Sequence, residues 1–309
     1  MILTITPNTG LDRVLFLPSL QRNARNQAAD VTESMGGKGC DVSLILRELG
    51  EETVATGLAG GDTGRRMESL LRGAGVIPDF VWTRGQTRFN TVIIETETGD
   101  HSTICADGLR PDDEALSGLV CWIERWASSV DAVVLAGSLP ENWGLDVYTQ
   151  LLKAALGAGK PLVVDATGGY LSAASRCGVA AVKPNQAELA TVSGPLSDRE
   201  AILRAAYALQ RQGVERILVS QGAAGGVLVS PNGVWAAAGL QVPVVNPAGA
   251  GDGMTACLAV GAVRGWDEAE TLRWAIAVSA AVVTTRGTAE VYRQDIHDLL
   301  PRVQVERVG

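Results

Sequence analysis

Three segments in the second half of the chain, DAVVLA (131–136), PLVVD (161–165) and RILVS (216–220), are apolar on nearly every residue. A strand with no polar face has to be covered on both sides. Helical patterns lie between them, at 145–156 and in the amphipathic stretch 199–212. Doubly buried strands alternating with helices imply a parallel sheet with helix layers above and below. Earlier strands are read at 2–6 and 53–58 and a later one at 180–183. Helices are read at 39–49, ended by Gly50, and at 63–72, with Gly73 and Gly75 following. Residues 226–245 read as short antiparallel strands around a PNG turn, and helices at 250–264 and 268–285 close the core. Segments 14–17, 77–82, 91–96 and 102–106 break the β–α rhythm and are expected to form a small sheet of their own. The expected fold class is α/β: one core over 1–309, carrying a β-rich lid drawn mainly from about 12–35 and 77–107.

At 309 residues the chain can bury a large core. Its 36 glycines are scattered at strand–helix junctions rather than gathered in a linker, as many tight turns require. A net charge of −8 and a pI near 4.9 exclude non-specific nucleic-acid or anionic-membrane binding, which needs a basic footprint. A local cluster of Lys and Arg can still hold an anionic small molecule. The five cysteines form no C-x-x-C pair and there are two histidines, so neither a disulfide framework nor a zinc site is expected. The opening MILTITPN has no basic region and no apolar run reaches ~18 residues, so a cytoplasmic location is expected.

Several familiar signatures are absent. Lys38 in GGKGC is followed by glycine, which rules out G-x-x-x-x-G-K-[ST]; G-x-G-x-x-G fails at Met254 and G-x-S-x-G fails around Ser138. What remains is a set of short segments at predicted strand–helix junctions. VVNPAGAGDGM (244–254) lies between a strand read at 241–245 and a helix rich in small residues. The first turn of a helix offers unpaired N–H groups and the positive end of the dipole, a natural anion site. Gly249, Ala250 and Gly251 leave that backbone accessible. Asp252 in the same turn is either a helix-stabilising acid or a general base aimed at a hydroxyl. MGGKG (35–39) is a second glycine-rich helix entrance, with Lys38 either solvated or facing a ligand. Asp12 follows the first strand, where a cap and a ligand contact are both open readings. Arg88 in TRFN borders a candidate lid strand. In VKPNQAEL (182–189), Asn185 and Glu188 have the spacing of a helix capping box. SQGAAG (220–225) reads as a turn, and AGSLP (136–140) ends a core strand at the ligand edge.

In this order the segments resemble the ribokinase/PfkB carbohydrate-kinase family over essentially the whole chain. GGKG and GAGD are its two signatures. NTGLD, TRFN, GSLP and VVNPAGAGD bring the chain nearest to the 1-phosphofructokinase and tagatose-6-phosphate kinase group. The resemblance implies a ribokinase-like, Rossmann-type three-layer α/β/α core with a small β-sheet lid, and ATP-dependent transfer to a sugar hydroxyl. It makes Asp252 the base and Gly249, Ala250 and Gly251 the anion hole. Asp12, Gly36, Gly37, Asp41, Asn90 and Ser138 would line the sugar, with Lys38 and Arg88 on the substrate's own phosphate. Lys183, Asn185, Glu188, Ser220, Gly222 and Gly225 would serve ATP, with Glu188 reaching Mg²⁺ indirectly through water or phosphate. The implied partner is a sugar or phosphosugar, and a homodimer formed through the lid is admitted. Arg88 favours a phosphosugar, since a guanidinium suits a phosphate and is costly to bury without an anion. A neutral sugar, sugar acid or nucleoside is the enzymatic alternative, and a non-catalytic sugar-phosphate sensor the alternative of another class.

Two positions depart from the pattern. Thr9 replaces the usual proline after Asn8, which affects loop stiffness. Asp41 stands where the group has asparagine, which both donates and accepts, whereas an ionised aspartate only accepts. At ~4 Å from a phosphate it would repel one unit charge by about 4 kcal/mol at an effective dielectric of ~20. Either Asp41 faces hydroxyls or the true substrate differs from the group's usual one.

Overall fold

The computed structural model describes all 309 residues. The chain opens with β1 (Ile2–Thr6), then leaves the core for β2 (Gly10–Leu17) and β3 (Asp30–Gly36). It returns through α1 (Lys38–Glu48), β4 (Thr53–Ala59) and α2 (Gly61–Gly73) to the short β5 (Ile77–Pro78) and β6 (Val81–Trp82). A second excursion gives β7 (Arg88–Glu95) and β8 (His101–Ile104). Regular alternation follows: α3 (Asp113–Ala127), β9 (Ala132–Ala136), α4 (Leu145–Leu156), β10 (Leu162–Asp165) and α5 (Gly168–Ser175). Next come β11 (Ala181–Val182), α6 (Gln186–Ser193), α7 (Arg199–Arg211) and β12 (Arg216–Ser220). The hairpin β13 (Gly226–Ser230) and β14 (Gly233–Ala237) precedes α8 (Ala250–Arg264), α9 (Glu268–Val282), α10 (Arg293–Leu299) and β15 (Val305–Arg307).

The central sheet runs β15–β14–β13–β12–β11–β10–β9–β1–β4–β5. It is parallel from β5 to β12 and antiparallel beyond. Alternation within each strand builds the two covering layers. Val133 and Leu135 of β9 point into a core cluster with α3, α4, α5 and α7, while Ala132, Val134 and Ala136 point into one with α1, α8, α9 and α10. The second face is lined by small residues, Ala132, Ala136 and Ala181 among them, and so admits the Ala- and Gly-rich α8. This is a three-layer α/β/α sandwich, the architecture expected from the sequence. No helix is long and apolar enough to cross a membrane.

The four-stranded lid has the order β3–β2–β7–β8. Parallel pairing of β2 with β7 sets Gly10 opposite Arg88 and Asp12 opposite Asn90. Antiparallel pairing with β3 sets Asp12 opposite Ser34 and Gly10 opposite Gly36. Register thus collects the polar residues of three strands at the root of the lid. In the core, β4 and β9 flank β1 and the chain moves outward from it in both directions, which makes the carboxyl ends of β1 and β9 a topological switch point.

Two expectations are corrected. Residues 77–82 do not join the lid: β5 and β6 both pair in parallel with β4 and extend the central sheet. The segment 241–245 is not a strand. Pro243 and Pro247 withhold backbone donors, and the chain is tied instead to the end of α9 through Val245 N–H and Asn246 N–H, both donating to Val283 O.

Candidate active site

The GAGD segment opens α8. Gly249 is its N-cap, with φ 90°, and a Cβ there would overlap the backbone of Ala289, so both conformation and space demand glycine. The turn it makes leaves the first N–H groups of α8 facing a cavity of about 890 Å³. Asp252, in the first turn, is 7% exposed and its Oδ1 has no hydrogen-bond partner. Burial pushes its carboxyl up to about 7, with Asp165 and Asp12 acting in the same sense and Lys38 and Lys183 opposing. A carboxyl titrating near neutrality is suited to taking a proton and releasing it again.

A buried charge network underlies this turn. The Asp165 carboxyl, at the end of β10, is fully buried. It accepts from Lys38 Nζ at 2.8 Å, lies 3.4 Å from Lys183 Nζ and accepts from Thr255 Oγ1 at 3.3 Å. Burial alone would raise its titration, but Lys183 and Lys38 outweigh burial and hold it below the usual carboxylate range. Lys38 Nζ also lies 3.6 Å from Glu188 Oε1. Desolvation disfavours the Lys38 charge, yet Asp165, Asp252 and Glu188 more than compensate and keep it protonated.

Asn185 and Glu188 form the capping box of α6: Glu188 N–H donates to Asn185 Oδ1 at 2.8 Å, and Asn185 N–H donates to Glu188 Oε2 at 2.9 Å. The capping and ligand readings coexist, because the second carboxylate oxygen of Glu188 is left to face Lys38. Ser220, Gly222 and Gly225, from the loop after β12, line the same cavity as Lys183, Asn185, Glu188, Gly249, Ala250, Gly251 and Asp252. The loop over 239–244, which takes in most of the segment 241–245 expected as a strand, contributes a further wall.

A second compartment of about 410 Å³ opens toward the lid. Asp12 Oδ1 accepts from Asn90 Nδ2 at 2.8 Å and its Oδ2 from Thr288 Oγ1 at 3.1 Å. Burial raises the Asp12 carboxyl despite these bonds and the nearby Arg88. Arg88 Nη2 donates to Asn8 O at 3.3 Å while its Nε is unpartnered, and Asn8 Nδ2 donates to Ser138 Oγ at 3.3 Å. Gly36 passes so close to Asp12 that a Cβ would overlap the carboxylate, and Gly37 is the N-cap of α1. Asp41, in the first turn of α1, is 3% exposed, with Oδ1 unpartnered. Lys38, Asp165, Glu188 and Asp252 line both compartments and mark their junction.

Every residue given a site role in the sequence except Gly36 lines one of the two compartments, and Gly36 abuts Asp12 directly. The resemblance paired Lys38 with Arg88 on one phosphate. The structure seats the Lys38 ammonium on Asp165 at the junction, and leaves Arg88 as the other cation of the lid-side compartment. Three residues were missed. Asp165 carried a signal, a carboxylate closing the apolar strand PLVVD at the ligand edge; Asn8 carried a weaker one, beside Asp12 in the loop after β1. Thr288 carried none, since it reaches Asp12 across 276 positions.

Comparison with known proteins bears on the family and the overall fold. The model of the pfkB family carbohydrate kinases matches residues 9–295. The 1-phosphofructokinase of Haemophilus influenzae is 30% identical over 99% of this chain and 98% of its own length. A crystal structure of a possible 1-phosphofructokinase from Thermotoga maritima superposes over 100% of both chains with a TM-score of 0.91 at 25% identity. Phosphofructokinase-2 of Escherichia coli, in complex with fructose-6-phosphate, superposes with a TM-score of 0.87 at 26% identity, covering 97% of this chain and 98% of that one. With both signatures at the mouth of one cavity and the match running over nearly the full length, the chain belongs to the PfkB family of ATP-dependent carbohydrate kinases, as a sugar kinase of phosphofructokinase type.

Proposed function

We propose that this enzyme transfers the γ-phosphoryl group of ATP to a free hydroxyl of a ketohexose phosphate, of the fructose 1-phosphate or tagatose 6-phosphate type, giving a bisphosphate. The observation that carries this reading is the junction. A buried carboxyl with a raised titration, Asp252, stands in the first turn of a helix near the part-buried Lys38 ammonium, where a large cavity meets a smaller one lined by Arg88. The similarity to 1-phosphofructokinases over nearly the whole chain supports a phosphorylated acceptor.

In this mechanism Asp252 accepts the proton of the attacking hydroxyl as its oxygen bonds to the γ-phosphorus and the bond to the ADP oxygen breaks. Phosphoryl transfer needs positioning and charge neutralisation more than covalent help. The α8 N–H groups at Gly249–Asp252 meet the charge on the transferring group, and Lys38, fixed by Asp165, supplies a cation that needs no rearrangement. Magnesium fits the donors present: it is usually held by one or two carboxylates plus phosphates and water, and Glu188 offers one oxygen outside its cap. Glu188 would reach it indirectly, through water or phosphate, and the ion would supply charge neutralisation there. A homodimer formed through the lid is part of this reading: β3 and β8 are open edge strands there that a second copy can cover.

The test is ADP release and product mass with fructose 1-phosphate, tagatose 6-phosphate, fructose 6-phosphate and free fructose. Preferred turnover of a phosphosugar to a bisphosphate is expected. Equal or better kcat/KM on free fructose would overturn the phosphosugar reading, and absence of ATP consumption despite sugar-phosphate binding would favour a sensor.

A further inference from the structure

Asp41, the departure noted in the sequence, is one of four buried unpartnered polar groups in the lid-side compartment, with Asn90, Arg88 and Asp252. Its surroundings are hostile to a charge. Asp12 faces it from β2 and Asp252 from α8, and Cys40 neighbours it on α1. The cation that acts on it is Lys38, already held by Asp165 at 2.8 Å and Glu188 at 3.6 Å. Arg88, the other cation of the compartment, acts on Asp12 and donates to Asn8 O. The N-terminus of α1 favours an anion, but nothing in the structure hydrogen-bonds Asp41 Oδ1.

We propose that Asp41 is a substrate-reading carboxylic acid that stays protonated at the working pH, one oxygen donating to a substrate oxygen and the other accepting from a substrate hydroxyl. This rests on the phosphosugar-kinase reading. Burial, then Asp252 and Asp12, push its carboxyl well above the usual range, and Lys38 only partly opposes them. When like charges crowd a dry site, one carboxyl ionises and its neighbour keeps the proton. Here Asp252 is the one placed to ionise, beside Lys38 and Lys183. A neutral carboxyl offers the same donor–acceptor pair as asparagine. The difference is that asparagine cannot titrate. On deprotonation Asp41 loses its donor and sets a negative charge in the compartment of an anionic substrate, so affinity for a sugar phosphate falls at alkaline pH.

The experiment measures kcat and KM for the preferred sugar phosphate from about pH 6 to about pH 10 in wild type, Asp41→Asn and Asp41→Ala. In wild type, KM should climb about tenfold per pH unit past an alkaline midpoint, as the competent fraction falls, while kcat holds. Asp41→Asn should lack that limb. Asp41→Ala should raise KM roughly tenfold at neutral pH, and Asp41→Asn should recover it to within about threefold of wild type, as loss and restoration of one hydrogen-bonding pair imply. Superimposable KM profiles, or a neutral-pH KM in Asp41→Asn well below wild type, would overturn the proposal, the second because it shows relief from an ionised Asp41. If the variants do not fold, a wild-type KM without an alkaline limb is enough to overturn it. Wild type that turns over no sugar phosphate sinks the functional reading and the proposal together; turnover with parallel profiles sinks only the proposal.

Discussion

Asp252→Asn should inactivate the enzyme and stabilise it, with the two effects obeying different pH dependences. The turnover loss follows from removing a general base, ~10²–10⁴-fold, with ATP still bound. The stability gain follows from burial. In the native state the Asp252 carboxyl sits at about 7 against an ordinary 3.8, which corresponds to roughly 4 kcal/mol at about 1.4 kcal/mol per tenfold. A raised folded-state value means that the native protein binds more protons than the unfolded chain across that interval. The Asp252 contribution to wild-type stability is therefore fully present below about pH 4, is lost as pH rises toward 7, and is flat above. The asparagine variant lacks this slope.

The gap between the two proteins should thus open from about pH 4 and reach its full size above about pH 7. With about 2.1 cal/mol/K of unfolding entropy per residue over 309 residues, roughly 4 kcal/mol corresponds to about 6 °C in Tm. Scanning calorimetry of the ligand-free proteins across this range reads the gap directly, and steady-state rates of the same samples read the turnover. Parallel melting profiles would refute the reasoning, because they would mean that Asp252 ionises in the folded protein as easily as in water. Near-full turnover in the variant would remove Asp252 from the base role whatever the melting curves show.

Three further substitutions test the rest of the site. Arg88→Ala should raise KM for sugar phosphates by roughly 10- to 150-fold, the loss of a charged hydrogen bond worth ~1.5–3 kcal/mol, with little effect on KM for ATP in initial-rate measurements. Asp165→Asn leaves Lys38 and Lys183 without their buried counter-ion and should cost about 3–5 kcal/mol in denaturant unfolding. Because Asp165 is held below the usual range, its contribution is present above the unfolded value and lost as pH falls through the folded one, so the variant's stability should also vary less on the acid side. Gly249→Ala places a Cβ on the Ala289 backbone at a positive φ; a loss of at least about 1–3 kcal/mol in Tm-derived stability is expected, together with loss of turnover as the α8 entrance shifts.

The architecture was legible where local pattern and tertiary burial coincide. DAVVLA, PLVVD and RILVS became β9, β10 and β12 because strands buried on both faces carry their environment in their composition. Residues 77–82 misled because two-residue strands have no periodicity, and only pairing with β4 decides their sheet. GAGD and K-P-N-x-x-E were visible because a helix entrance concentrates its chemistry within one turn, so spacing in sequence is spacing in space. Asp165 and Thr288 act on residues 127 and 276 positions away, through strand order and lid register that no local window contains.

The charge of a residue is likewise not a property of its letter. Read from the sequence, Asp41 is an anion beside a phosphate, and a repulsion of about 4 kcal/mol argues against the substrate. In the structure burial acts first on Asp41 itself, raising its carboxyl, and Asp252 and Asp12 push it further in the same direction. Burial, reinforced by repulsion of the same kind as a phosphate would exert, is what keeps Asp41 neutral. A phosphate entering beside Arg88 adds another negative charge to the compartment, so binding should retain the proton on Asp41 more firmly still. By linkage, proton uptake and sugar-phosphate affinity must then rise together: calorimetric titration in buffers of different ionisation enthalpy should find protons taken up on binding at alkaline pH in wild type, and fewer in Asp41→Asn.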